Sequence, residues 1–401
     1  MRPLDLRSLL CCLVLSTIVQ SALAAPVILP VLPAEHQVEK DPETGATLTY
    51  LSDNPGADSN LYFHERSWTA DGAAILFNSS REKGGLMAYL TATGELVPVG
   101  HALGGLSGVT ASAAGCGLYG IRGRDVLRIA LEISPSDDPS RQPSSVVAIE
   151  RVITTLPDAE KTTTLSENSA GTLLSVGLEG GEIGSVPAIM TIDIQSGAIT
   201  EVCRAANAAV SGIQHVQWSH TDPNILSYAG HKPRLMVVDI REGHPRAVYP
   251  EWVEELVTHE SWWVQDQIIF CGGTHPEPTV NSHVKLLDLK TGTVRIVGGG
   301  SWWAGGSPSE IARYNWWHAD GSDDGRWIVA DNWHGDIMLF EGKTTRPRLL
   351  TGNHRTYGKG AHPHVGFDRA GRSVIFTSHK RGNPDVCVAT IPETWQRENP
   401  S

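Results

Sequence analysis

The stretch HADGSDDGRWIVADN, His318–Asn332, runs a histidine into a polar turn ending at Asp324-Gly325 and then into a short apolar strand. The same order recurs along the chain. Turns of this kind fall at Asp71-Gly72, Ala114-Gly115, Ala170-Gly171, Pro223-Asn224, Asp266-Gln267, Asp324-Gly325 and Ala370-Gly371, which makes seven units. Strand-like runs such as AAILFNS, LLSVGL, NILSYAG, QIIFCGG and SVIFTSH follow the turns. A second strand comes after most of them (IMTIDIQSG, LMVVDIREG, VKLLDLKTG, DIMLFEG), with an acidic residue near its end and a glycine turn behind it. Short β-branched strands, hairpin turns and a period of roughly fifty residues are the signature of a β-propeller with four strands per blade. A sandwich would not repeat, and a β-helix needs much shorter repeats. The expected fold is therefore all-β, a seven-bladed β-propeller over residues 61–395. The strand TLTYLS, Thr47–Ser52, in the N-terminal segment 25–60, completes the last blade and closes the ring.

Composition agrees with a turn-rich chain. Of 401 residues, 41 are Gly and 24 are Pro, and 40% are hydrophobic, enough for a large core. Residues 1–24 read as a secretory signal: Arg2 and Arg7 precede the apolar run Leu9–Val19, and Ala22-Leu23-Ala24 follows as a small-residue cleavage site. The mature protein is thus expected in the periplasm or outside the cell, with no membrane span. Beyond the signal, Cys116, Cys203, Cys271 and Cys387 lack metal-site spacing, and the sequence does not choose between free thiols and two disulfides. The net charge of −12 argues against a nucleic-acid partner, and an anionic ligand would need a local cationic pocket.

In a propeller the first strand of each blade lines the central channel, so equivalent residues there converge on one mouth. The residue about seven positions before each turn is Glu65, Gly108, Thr164, His215, His259, His318 and His364 in successive units. Four imidazoles in consecutive blades allow a structural histidine repeat, a metal site or an acid/base centre, since imidazole both ligates borderline divalent ions and moves protons near neutral pH. His362, one residue from His364 across Pro363, joins the same mouth if the strand bends. His64 beside Glu65 can reach it too.

These motifs resemble the oligogalacturonate lyases, seven-bladed propeller enzymes that cleave short pectic oligomers by β-elimination. The resemblance runs from LYFHERSWTADGAAILF through IQHVQW, THESWWV and HADGSDDGRWIVADN to HPHVGFDRAGRSVIFTSHKRGNPDV, the last being the most specific. It implies His215 as the proton-abstracting base, His259, His362 and His364 as ligands of a manganese-like divalent metal, with Zn or Ca as other options, and Arg234 as a catalytic auxiliary. His318 falls on a further histidine of the family and, with Glu65 and Lys359, is expected to contact the substrate. Two positions depart from the family pattern: Lys359 stands where a glutamine ligand is expected, and PAIMTIDI lacks the arginine of the strand before the base. Both touch the substrate carboxylate, so a related uronate polymer such as ulvan is an alternative substrate.

The chemistry so implied is removal of the C5 proton of a 4-linked uronate, which needs the charge of the C6 carboxylate neutralised. The metal supplies that, with Lys359 and Arg234 beside it. Two rival readings remain at this level. One is a hydrolytic metal centre with Glu65 or Glu260 as base, and the other is a non-catalytic envelope propeller that binds an oligosaccharide or a protein. Nine of the twelve Trp lie between Trp252 and Trp333. Trp68, Trp218 and Trp262 read as core, Trp303 and Trp317 as sugar-contacting, and the long loop 298–317 as an overhang of the mouth.

Overall fold

In a computed structural model, residues 25–205, 212–274, 281–354 and 362–398 are described. They form a seven-bladed β-propeller of antiparallel blades, as the repeat predicts. Blades 1 to 7 occupy residues 58–97, 107–155, 161–204, 214–247, 258–298, 316–351 and 366–390. Each polar turn does what its composition suggests: glycines at 72, 115, 171, 325 and 371 all sit at positive φ, reversing the chain between the first and second strands of a blade. The innermost strand of blade 1, Asp58–Asn60, starts slightly before the expected boundary at 61.

The ring closes through the expected strand. Thr47–Tyr50 pairs with Asp385–Thr390, Thr47 opposite Thr390 and Tyr50 opposite Cys387. Gln37–Lys40 adds a fifth strand outside it, and Val27–Leu29 lies on the outer edge of blade 2 against Val146–Ala148. The cores lie between blades. Leu76, Ala88 and Val97 of blade 1 interlock with Leu118, Leu127 and Ile129 of blade 2, and Trp327, Val329 and Leu339 of blade 6 with Val374, Phe376 and Cys387 of blade 7. Trp68, Trp218 and Trp262 are buried, as expected of core indoles. All four described cysteines are free thiols, which settles the choice that spacing left open. No helix is long and apolar enough to cross a membrane among the described residues.

A buried polar chain reinforces the closure. Thr351 Oγ1 donates to Asp41 Oδ2 at 2.7 Å, His354 Nε2 meets Thr351 Oγ1 at 2.8 Å, and His354 Nδ1 meets Ser378 Oγ at 2.8 Å. Burial, with Lys380 adding to it, drives the His354 pKa down from 6.5 to about 3, so the ring is neutral in the folded chain. Between these two values the unfolded chain binds the proton and the folded one does not. Stability therefore rises with pH across that window and is lost on acidification, by up to about 1.4 kcal/mol per pH unit. Urea midpoints at pH 6.5, 5.5 and 4.5 should fall more steeply for the wild type than for His354→Gln; parallel slopes would show that this imidazole does not carry the effect.

Candidate functional site

The inner strands are irregular at one level around the channel. Register slips occur between Ser107 and Thr110, Gln214 and Gln217, Thr258 and Ser261, and Trp316 and Ala319. At this level Gly108, His215, His259 and His364 all have positive φ, at 56°, 49°, 51° and 51°. Such a β-bulge turns the extra residue out of the sheet and re-aims its side chain. For glycine the left-handed conformation is free, whereas for a histidine it costs roughly 1–2 kcal/mol. That cost is borne at three histidines that all point into the channel. Asn60 helps to hold the backbone at His364: its Nδ2 donates to His364 O at 2.7 Å, and Thr377 Oγ1 donates to Asn60 Oδ1 at 2.7 Å.

Six imidazoles meet there. His318 lies 4.5 Å from His364 and 5.5 Å from His362 between ring centroids, 4.2 Å separates His259 from His318, and 4.9 Å separates His64 from His215. His318, His362 and His364 each offer a nitrogen, and these lie within 4.8 Å of one another, close enough to share one ion. Asp331, buried in the neighbouring strand, takes both the His318 backbone N–H at 2.6 Å and its Nδ1 at 2.9 Å. A carboxylate there requires Nδ1–H and leaves Nε2 with the lone pair, the usual outer support of a metal-ligating histidine. Burial, then the neighbouring His318, lowers His364 to about 2, and burial, then His318 and His215, holds His259 well below its ordinary value. Neutral imidazoles are the form that ligates, so the donor set fits a divalent ion.

The sequence placed His259 with the ligands and His318 with the substrate. In the structure His318 shares the tight trio. His259 adjoins it, edge-on to Trp317 at 4.7 Å, with Nδ1 at 3.1 Å from Thr258 Oγ1.

A second arrangement stands beside the trio. His215 Nδ1 is 2.8 Å from Glu260 Oε1, and Arg234 Nε donates to Glu260 Oε2 at 3.1 Å. Arg234 Nη2 also lies 3.3 Å from His215 Nδ1, but a nitrogen whose proton points at Glu260 cannot accept another, so the shorter contact sets the tautomer. Burial pushes the Glu260 carboxyl up, and His215 and Arg234 together more than reverse this, down to about 2. An ionised, fully occupied carboxylate orients the ring, and His215 Nε2 is left to accept a proton.

These groups open on a cavity of about 960 Å³ whose walls include Tyr62, His64, Glu65, Lys161, His215, His362 and His364. Glu65, half-buried near Thr164, is raised to about 7 by loss of water around its carboxyl. Tyr62 sits between the two arrangements, 5.1 Å from His215 and 4.7 Å from His364 between rings, and burial raises its pKa so that the hydroxyl stays protonated. Phe63 lies beneath, 5.7 Å from His259 and 5.6 Å from His318.

Trp317 is buried against Trp333 at 4.2 Å and backs the site. Trp303 lines a separate hollow with Arg313 and Tyr314. Lys359 and His275 lie outside the described residues, as does the segment 1–24. Glu260, Asp331, Tyr62 and Lys161 were not singled out in these roles by sequence. Only Glu260 carried a signal, following His259 directly.

No family model matches the sequence, and no curated protein matches it. Among solved structures, an oligogalacturonate lyase in complex with manganese is similar, with TM-score 0.70 and 18% identity over 92% of this chain and 99% of that one. An oligogalacturonate lyase from Vibrio parahaemolyticus has TM-score 0.69 and 18% identity, over 92% of this chain and 100% of that one. A puromycin-hydrolyzing peptidase from Mycobacterium tuberculosis has TM-score 0.53 and 15% identity, over 88% of this chain and 58% of that one. At these identities the likeness is one of fold.

Proposed function

We propose that this chain is an exported β-eliminating lyase of 4-linked uronate oligosaccharides, oligogalacturonate-like in substrate, assisted by a divalent metal held by His318, His362 and His364. The observation that carries the reading is the closeness of a three-imidazole donor set, two of whose members line the cavity with His318 buried behind them, to a separate cavity-lining imidazole locked by a buried carboxylate. Two such groups are what elimination next to a carboxylate needs. The similar lyase structure is a complex with manganese, which supports manganese as the ion.

When bound, the ion supplies positive charge against the C6 carboxylate, without which the C5 hydrogen is too weakly acidic to remove. His215 accepts that hydrogen as a proton at Nε2, and the resulting imidazolium is stabilised by Glu260 through Nδ1. The C5–H electron pair becomes the C4=C5 double bond as the C4–O4 bond breaks. Tyr62, whose hydroxyl makes no hydrogen bond among the described residues, donates the proton that O4 takes away; water restores both groups. Arg234 is engaged by Glu260 and acts through His215. Lys161, paired with Glu179 at 3.0 Å on the cavity wall, offers a cation to a further uronate.

Hydrolysis with Glu260 as base is disfavoured by its geometry, since its two oxygens already hold His215 and Arg234. Ultraviolet absorbance of the unsaturated product, followed on pectic, ulvan and other uronate oligomers, tests the proposal. Growth of that absorbance is expected. New reducing ends without it would mean hydrolysis through Glu65, and no cleavage of any oligomer would leave a binding propeller.

A further inference from the structure

Below Phe63 the channel continues into a second set of chambers lined by residues that follow the histidine level on each inner strand. One, of about 200 Å³, is walled by Arg66, Ser166, Gln217, His220 and Arg369, among others. We propose that this lower chamber binds a small oxyanion, clasped between the guanidinium groups of Arg66 in blade 1 and Arg369 in blade 7. It is independent of the lyase reading.

The two guanidiniums are poorly satisfied by protein. Arg369 donates one hydrogen bond, from Nη2 to Ser112 O at 3.0 Å, and its Nε is buried with no partner. Among the described residues Arg66 makes no side-chain hydrogen bond or ion pair. Burial, and then the charge of Arg66, lower the Arg369 pKa to about 10, so the pair is held together at a cost.

Nearby acids do not remove that cost. Glu167 accepts from Ala113 N at 2.6 Å and Tyr119 Oη at 3.1 Å. Asp320 accepts the Phe367 N–H at 3.1 Å, and burial raises it to about 7. Asp323 acts on Arg369 only through space, forming no ion pair with it among the described residues. His220, on the chamber wall, is held below its ordinary pKa by the packing around it and then by the two arginines, which disfavours its charged form. Two guanidinium groups on the wall of one small chamber offer the N–H donors that planar and tetrahedral oxyanions take, by paired charge-assisted bonds. Such an ion would tie the adjacent blades 1 and 7 together at the ring closure.

The test is thermal unfolding of the full chain at constant ionic strength with phosphate, sulfate, acetate or chloride. A ligand present at 100-fold excess over its Kd should raise Tm by roughly 3–4 °C for a chain of this size. Phosphate and sulfate, or acetate, or all three, should produce the shift, the pattern telling tetrahedral from carboxylate ligands, and chloride should not. In Arg66→Gln and Arg369→Gln the shift should vanish. Calorimetric titration of phosphate and of acetate into the wild type, with one site per chain expected, keeps the test valid if a variant fails to fold. An equal shift in both variants, an equal effect of chloride, or no binding in the titrations would overturn the proposal.

Discussion

Replacing His215 by alanine is expected to lower kcat by roughly 10²- to 10⁴-fold while leaving bound metal unchanged, because the ring moves a proton and takes no part in the donor trio. The neighbouring carboxylate sharpens the expectation. Glu260→Gln keeps shape and removes charge, so the imidazolium that forms on proton transfer loses its counter-ion, and Arg234 is left as a buried cation without its partner. Turnover should fall for the first reason, and folding stability by about 3–5 kcal/mol for the second. Alanine at 215 should spare most of that stability. Steady-state kinetics, metal content and urea unfolding on the two variants separate the effects. Full turnover in His215→Ala would remove it as the base.

His318→Ala or His362→Ala should strip the metal, and with it all turnover, since two imidazoles without a third do not hold an ion at ordinary concentrations. Asp331→Asn is the more discriminating change. The carboxylate touches His318 at Nδ1 and does not belong to the trio, so its loss should weaken metal affinity by roughly 10- to 100-fold, and excess manganese should restore turnover. Metal content after dialysis, measured beside activity with and without added ion, reads this directly. His259→Ala arbitrates the remaining question: retained metal assigns His259 to the wall with Trp317, and lost metal makes it a further ligand. Unchanged metal content in His318→Ala and His362→Ala would end the metal reading.

The fold was legible because its signals are local and repeated. Turns such as Asp324-Gly325 and strands such as Trp327–Asn332 announce a unit, and seven units in sequence announce a ring. The column of His215, His259, His318 and His364 was legible for the same reason, since one position in a repeat maps to one level of the channel. What joins residues across blades was not. Asp331 stands opposite His318 only because Trp316–Gly321 and Trp327–Asn332 pair in a slipped register, and no spacing rule states where a bulge falls. The division of six imidazoles between ligands and base likewise depends on bulge geometry and on which carboxylate reaches which ring. Sequence alone assigned His318 and His259 by resemblance, and the distances group them differently. The meeting of Arg66 and Arg369 at one chamber, from opposite ends of the chain, carried no local signal either.

The seam at which Thr47–Tyr50 meets Asp385–Thr390 has a consequence for biogenesis. A ribosome releases the first of these strands long before the second exists, so throughout synthesis and export the emerging polypeptide carries an unsatisfied backbone rim at its leading end. Contacts this distant along the chain form slowly. Until they form, the rim can take up a strand from another molecule. Ending the chain before Asp385, and so without the strand Asp385–Thr390, would make that vulnerable interval permanent.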